Sequence, residues 1–176
     1  MLQRDILMNM LKKIRGDAMN WAAICKDPTL ENLPYKIETN RKGQIVMSPA
    51  SNEHGIYQSL ISSMLFNLKT GGIIISECSI LTGDGVKVAD VAWLSEQFFK
   101  KHRKKTPYQV APELCVEIIS PSNTVNEMLE KTDLYLAKGA KEVWMLNAKG
   151  EIHFFDNSGK IKKSALFPNF PKKISY

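Results

Sequence analysis

The chain has 176 residues, of which 44% are hydrophobic and 24% charged, so it suits one compact domain and excludes a disordered chain. Its net charge of +6 favours an anionic partner, nucleic acid first. Three widely separated cysteines argue against a disulfide framework or a cysteine zinc site, and no apolar stretch is long enough for a bilayer. With no secretory signal, we expect a cytoplasmic protein with one domain over 21–176, preceded by an N-terminal arm or helix over 1–20.

The first half of the chain predicts four strands and one long helix. The short β runs lie at 35–39, 44–47, 73–80 and 86–94. The helix is predicted over 52–69 and is ended by a glycine pair. Its apolar side is formed by Ile56, Leu60, Ile61, Met64, Leu65 and Leu68.

The second half predicts three more strands and a second helix. The strands lie at 114–119, 143–146 and 152–155. The first of them is apolar on both faces apart from one acid, which is typical of a central buried strand. A helix follows over 125–138, with Thr124 and Glu127 forming a capping box. This order predicts an α/β fold of the mixed α+β kind, with helices packed on a mixed sheet.

Two acids stand where the strand pattern places the core. Asp90 shares a strand face with Val88 and Ala92, and Glu117 lies in the middle of the central strand. A lone buried carboxylate is costly unless a charge or a metal compensates it. Together on neighbouring strands, the two acids would form a site for Mg²⁺ or Mn²⁺. The alternative is that each acid meets a separate cation or backbone amide.

Three further residues are weighed as members of this site. At 100° per residue, Glu53 is expected to face the sheet at the start of the first helix, although it would equally suit an exposed first turn. Lys131 either pairs with Glu127 on the surface of the second helix or reaches the carboxylates. Glu77, on the strand before Asp90, is a weaker extra metal ligand.

Other polar residues carry less information. The basic run over 100–105 is interpreted as a loop, either solvated or in contact with phosphates. His54 follows Glu53 and so could touch the site, but a structural role is favoured. No nucleophile elbow, phosphate-binding loop or dinucleotide fingerprint is found.

Several blocks, in their order along the chain, resemble the Uma-type family of restriction-endonuclease-like proteins, within the PD-(D/E)XK nuclease superfamily. The resemblance covers about Trp21 to Ile174. A Glu-x-x-Ser-Pro-Ser segment followed by a Lys-x-x-x-Tyr helix is its most specific part. The blocks are Tyr35–Glu38, Gly43–Pro49, Val88–Trp93, Val116–Ser122 and Lys131–Tyr135.

This resemblance implies a restriction-endonuclease-like mixed β-sheet flanked by helices, a homodimer, and a site built from an acid pair, a lysine and Mg²⁺. By position, Asp90 matches the acid of the Pro-Asp motif, with Ala89 in place of proline, and Glu117 matches the next acid. Ile119 stands where the usual lysine would be, so Lys131 is the candidate lysine. Glu53 would be the acid on the helix.

The expected function is therefore metal-dependent hydrolysis of DNA phosphodiester bonds. Asp90, Glu117, Lys131 and Glu53 are the candidate catalytic residues. Asp90, Glu117 and Glu77 are the candidate ligands of Mg²⁺ or Mn²⁺. The alternative is a catalytically inactive module that keeps the nuclease fold and binds nucleic acid or protein, since a fold does not fix its activity.

Overall fold

The computed structural model describes residues 20–49, 51–120 and 123–176, so the arm predicted over 1–20 lies almost wholly outside the described residues. The helices are α1 (Trp21–Ile24), α2 (Asn52–Leu68), α3 (Glu96–His102) and α4 (Val125–Ala137). The strands are β1 (Tyr35–Thr39), β2 (Ile45–Pro49), β3 (Ile73–Thr82), β4 (Gly85–Leu94), β5 (Leu114–Ile118), β6 (Glu142–Leu146), β7 (Ile152–Asp156) and β8 (Gly159–Ile161).

Six strands form one mixed sheet in the order β3-β4-β5-β6-β7-β8. The β5–β6 pair is parallel and the other neighbours are antiparallel. The prediction of a central buried strand is confirmed, because β5 lies inside the sheet and all of its residues are buried. The first two strands pair with each other in a separate antiparallel hairpin.

Apolar side chains cover both faces of the sheet. On one face, α2 packs against β3, β4 and β5, and its buried residues Tyr57, Ile61 and Leu65 join the core there. The opposite face is covered by α3 and α4, through Phe98 and Tyr135. No helix in the described part of the chain is long and apolar enough to cross a membrane.

Helix α2 is turned slightly from the orientation that the sequence predicts. Ile56 and Leu68 belong to the predicted apolar side, yet they are 40% and 36% exposed. The buried stripe instead follows Tyr57, whose ring packs in the core. This small rotation decides which polar residues of the first turn face the sheet.

Helix α3 was not predicted, because its last turn belongs to the basic run. Ser95 caps its N-terminus by accepting a hydrogen bond from the backbone N–H of Phe98. The prediction of a loop over 100–105 is therefore wrong for Lys100–His102, which are helical. Strand β8 was also missed.

The β1–β2 hairpin is attached to β4 mainly through side chains. Pairing between β4 and β5 ends at Val91 and Val116, so β4 extends beyond its partner. There the hydroxyl of Thr39 accepts the N–H of Val86 at 2.8 Å, and Glu38 Oε1 accepts the N–H of Val88 at 2.8 Å. Side chains of β1 thus accept hydrogen bonds from backbone N–H groups of β4 that do not pair with β5, and the hairpin lies beside the end of β5.

Candidate active site

Asp90 and Glu117 lie next to each other where the β4–β5 ladder ends. They are the residues directly beyond the last pair, Val91 and Val116, and their relative exposures are 0% and 2%. The Asp90 carboxylate bends across to β5, where its Oδ2 accepts the N–H of Ile118 at 2.6 Å. The structure therefore brings together the two acids that the strand pattern singled out.

Lys36 of β1 lies between these two carboxylates. Its Nζ is 2.6 Å from Asp90 Oδ1 and 3.2 Å from Glu117 Oε2. The hairpin attachment to β4 holds this strand over the end of β5, which aims the lysine at the pair. Lys36 was not among the residues predicted from the sequence. A signal was present, since Lys36 and Glu38 are charged residues that alternate along a short strand and so share one face.

Helix α4 supplies a second lysine and a tyrosine to Glu117. Lys131 Nζ is 3.2 Å and 3.1 Å from the two Glu117 oxygens and 2.7 Å from Glu38 Oε1. The hydroxyl of Tyr135, one helical turn later, donates to Glu117 Oε1 at 2.6 Å. Of the two positions predicted for Lys131, on the helix surface or in contact with the carboxylates, the structure shows the second. Glu127 instead completes the capping box with Thr124.

Helix α2 contributes two polar residues from its sheet-facing side. His54 Nε2 is 3.2 Å from Asp90 Oδ1. The side-chain amide of Gln58 donates to Glu77 Oε1 at 2.8 Å and to the backbone carbonyl of Asp90 at 2.7 Å. Glu77 has a φ of 54°, an uncommon conformation for a residue with a side chain. A nitrogen of His54 and oxygens of Glu77 and Asp90 lie within 4.8 Å of one another, which could hold a metal ion.

Glu53 does not join this group, and the expectation that it faces the sheet is wrong. Its side chain is exposed in the first turn of α2, where an acid complements the helix dipole. The rotation of α2 that buries Tyr57 turns the neighbouring His54 toward the site.

The site opens into a cleft of about 760 Å³ between the hairpin and the N-terminal ends of α2 and α4. Its lysines are Lys36, Lys87 and Lys131. The acids that line it are Glu38, Glu77, Asp84, Glu117, Glu127 and Glu130. Because acids outnumber lysines, the cleft attracts cations and would repel a phosphate backbone that is not accompanied by a metal ion. No residue of the run over 100–105 lines this cleft.

The two central carboxyls have pKa values displaced in opposite directions. Burial opposes ionisation of Asp90, but Lys36 and His54 outweigh it and hold the pKa of this carboxyl well below its usual range. Burial raises the pKa of Glu117, and the charges of Lys131 and Lys36 offset only part of that effect. Burial alone would lower the pKa of Lys36, but Glu117 and Asp90 raise it. Opposed pKa shifts in paired groups are typical of acid–base sites.

The raised pKa of Glu117 predicts how Glu117→Gln changes the pH dependence of stability in the metal-free protein. Folding disfavours the ionised form of this group, so the wild type loses stability as the pH rises from 4.5 through the folded pKa. The variant has no such loss. The difference in melting temperature between Glu117→Gln and the wild type should therefore shift in favour of the variant over that interval and stay constant above it, as measured by calorimetry at several pH values in EDTA.

Glu127→Gln is the control of opposite sign. Hydrogen bonds from the Thr124 backbone and side chain lower the pKa of Glu127, so replacing it should reduce stability above pH 4.5. If the change in melting temperature depended on pH in the same way for both variants, the assignment of a raised pKa to Glu117 would be contradicted.

The donor set suits a hard divalent cation. Carboxylate oxygens with one imidazole are ligands that Mg²⁺ or Mn²⁺ accept, and the acidic cleft attracts them. Asp90, Glu77 and His54 form one group of donors, and Glu117 adjoins Asp90 on the next strand. The residues present therefore fit a metal.

Comparison with known proteins agrees with this fold. The family described as Uma2, putative restriction endonuclease, matches residues 24–163. A solved structure of a putative nuclease of the DUF820 group from Anabaena variabilis ATCC 29413 is similar, with a TM-score of 0.61 and 17% identity over 78% of this chain and 79% of that one. No curated protein matches. With the family match spanning most of its length, the chain belongs to the Uma2 family of putative restriction endonucleases and has a restriction-endonuclease-like fold.

Proposed function

We propose that this protein is a metal-dependent endonuclease that hydrolyses DNA phosphodiester bonds. The observation that carries the proposal is the pair of neighbouring buried carboxylates, Asp90 and Glu117, of which Glu117 lines an open cleft and is in contact with Lys131. Adjacent carboxylates can hold the metal that such hydrolysis uses, and Lys131 adds a positive charge beside them in a chain of the Uma2 family.

Each residue of the cluster has a role in this proposal. Asp90 and Glu117, with Glu77 and His54 beside them, would hold Mg²⁺ or Mn²⁺, which supplies an activated water and neutralises charge on the phosphate. Lys131 would orient the water or stabilise negative charge on the reacting phosphate. Tyr135 is a positioning residue, because its hydroxyl fixes one Glu117 oxygen. Glu53 has no part, since its side chain is exposed outside the cleft.

DNA as the substrate and a homodimer as the active form belong to the same proposal. The family description and the net charge of +6 support a polyanionic substrate. The exposed cations of the run over 100–105 lie outside the cleft, so they would contact phosphates that flank the cleaved one. A two-fold symmetric dimer would place one site on each strand of a duplex.

The test is cleavage of supercoiled plasmid DNA with Mg²⁺ or Mn²⁺, and with EDTA. We expect nicked and linear products only with metal. Lys131→Met should lower the rate about a hundredfold, because a fixed cation at a developing negative charge is typically worth that much. Lys149→Met, an exposed lysine outside the cleft, is the matched control and should cleave normally.

A second candidate is a nuclease-fold module that binds nucleic acid or protein without cleaving it. The observation that favours it is the ion pairing of Lys36 with both carboxylates, which neutralises them without a metal. Absence of cleavage with every metal tested, together with DNA binding that EDTA does not change, would support the module and contradict the endonuclease.

A further inference from the structure

The position between Asp90 and Glu117 is already taken by a cation of the chain itself. Lys36 Nζ contacts Asp90 Oδ1 at 2.6 Å and Glu117 Oε2 at 3.2 Å, so one ammonium group joins an oxygen of each carboxylate. The second oxygen of each carboxylate accepts a hydrogen bond from another part of the chain. Ile118 N–H donates to Asp90 Oδ2, and Tyr135 O–H donates to Glu117 Oε1.

A second cation can lie between Asp90 and Glu117 only if the ammonium group of Lys36 moves away. Glu38, Asp90 and Glu117 face the two ammonium groups of Lys36 and Lys131, and His54 Nε2 lies 3.2 Å from Asp90 Oδ1, the oxygen that Lys36 also contacts. Lys131 contacts Glu38 and, at 3.1 Å, the same Glu117 Oε2, but in the described part of the chain it forms no ion pair with Asp90. A divalent ion bridging Asp90 and Glu117 would therefore meet Lys36 first, at close range and with like charge.

We propose that Lys36 is a tethered cation that occupies the metal position between Asp90 and Glu117, and that a divalent ion binds by displacing its ammonium into the cleft. The side chain of Lys36 is 14% exposed and lines the cleft, so its ammonium has an open direction in which to move. The proposal rests on the proposed function only in requiring that a metal binds this pair. It makes Lys36 the residue that sets the metal affinity.

Two measurable effects follow from this exchange. Without Lys36, the carboxylates lose their competitor, and the metal affinity should rise roughly tenfold or more, since one neighbouring charge changes the binding of a proton by about one to three powers of ten. Without metal, the same variant leaves a buried Asp90 carboxylate poorly compensated, so its melting temperature should fall. Added metal should then raise that temperature more than it does in the wild type.

The experiment is calorimetric titration of Mn²⁺ into the full chain of wild type, Lys36→Met and Lys36→Gln, with thermal melts in EDTA and in Mn²⁺. Lys36→Gln is included because it keeps a polar group if the methionine variant folds poorly. Lys69→Met is the matched control: this partly buried lysine donates to the Gly72 carbonyl, outside the cleft, and its variant should bind Mn²⁺ as the wild type does.

Tighter Mn²⁺ binding by both Lys36 variants, with a lower melting point in EDTA that Mn²⁺ restores, is the expected result. Equal affinities in the wild type and these variants would overturn the proposal for Lys36 and leave the endonuclease proposal standing. Weaker binding in the variants would also overturn it, because Lys36 would then assemble the carboxylates rather than block them. Absence of binding in all variants, even with DNA present, would refute both proposals.

Discussion

Asp90→Asn is expected to reduce metal-dependent DNA cleavage by about a thousandfold or more while leaving the fold intact. A bound metal contributes several kcal/mol to stabilising the transition state, and each 1.36 kcal/mol is about a tenfold change in rate. Asparagine removes the charge that holds the metal, yet its side-chain oxygen still accepts the N–H of Ile118. For this reason asparagine is a better replacement than alanine, which would leave that buried donor unpaired.

The measurement is the single-turnover cleavage rate of a plasmid with Mn²⁺, with circular dichroism as the check on folding. Glu53→Gln is the matched control, because this acid was also a catalytic candidate but is exposed on the first turn of α2. It should cleave at the wild-type rate. An active Asp90→Asn protein would show that the reaction occurs elsewhere in the chain, and an inactive Glu53→Gln protein would show that Glu53 takes part in it.

Gly85→Ala is expected to lower both stability and activity, although it lies outside the carboxylate cluster. Gly85 has a φ of 80°, which costs a residue with a side chain about 1 kcal/mol or more. An added Cβ would also lie 2.6 Å from the Thr39 carbonyl oxygen and 2.7 Å from that of Asn40. Relief of this contact would push the β1–β2 hairpin away from β4, and Lys36 and Glu38 would move with it.

The size of the effect is read from thermal melts, where 1 kcal/mol corresponds to about 2–4 °C for a chain of this size. Gly159→Ala separates the two causes, since Gly159 has a φ of 105° but nothing within 4 Å of its added Cβ. It should show the conformational cost alone and keep full cleavage. If the two alanine variants lose the same stability and both remain active, the hairpin does not depend on its close contact with Gly85.

The sequence predicted the sheet and the acid pair because both depend on short-range periodicity. Alternation along β4 places Asp90 in an apolar row, and the continuous apolar run of β5 makes Glu117 an exception. Lys131 was found in the same way, from its place on the flank of the apolar stripe of α4. Each of these predictions needed only a helix or strand period and the chain order of the elements.

The cations and helical residues of the site depend on contacts that no local pattern contains. Lys36 meets Asp90 across 54 residues and Glu117 across 81, through a hairpin whose docking is set by side-chain hydrogen bonds to β4. A small rotation of α2 decides whether the side chain of Glu53 or that of His54 faces the site. That rotation is fixed by the burial of Tyr57, whereas the sequence pattern gave Ile56 equal weight.

The β4–β5 ladder ends just before the candidate site begins, so the sheet and the site use different residues of the same two strands. Strand pairing between β4 and β5 is complete at Val91 and Val116, so the side chains of Asp90 and Glu117 can change without the loss of a backbone bond between those strands. The Asp90 side chain nevertheless carries one link between them, because its Oδ2 accepts the N–H of Ile118, so asparagine should be tolerated there better than alanine. A chain of this fold can therefore lose the charge of Asp90, and with it the proposed metal site, while its sheet stays unchanged.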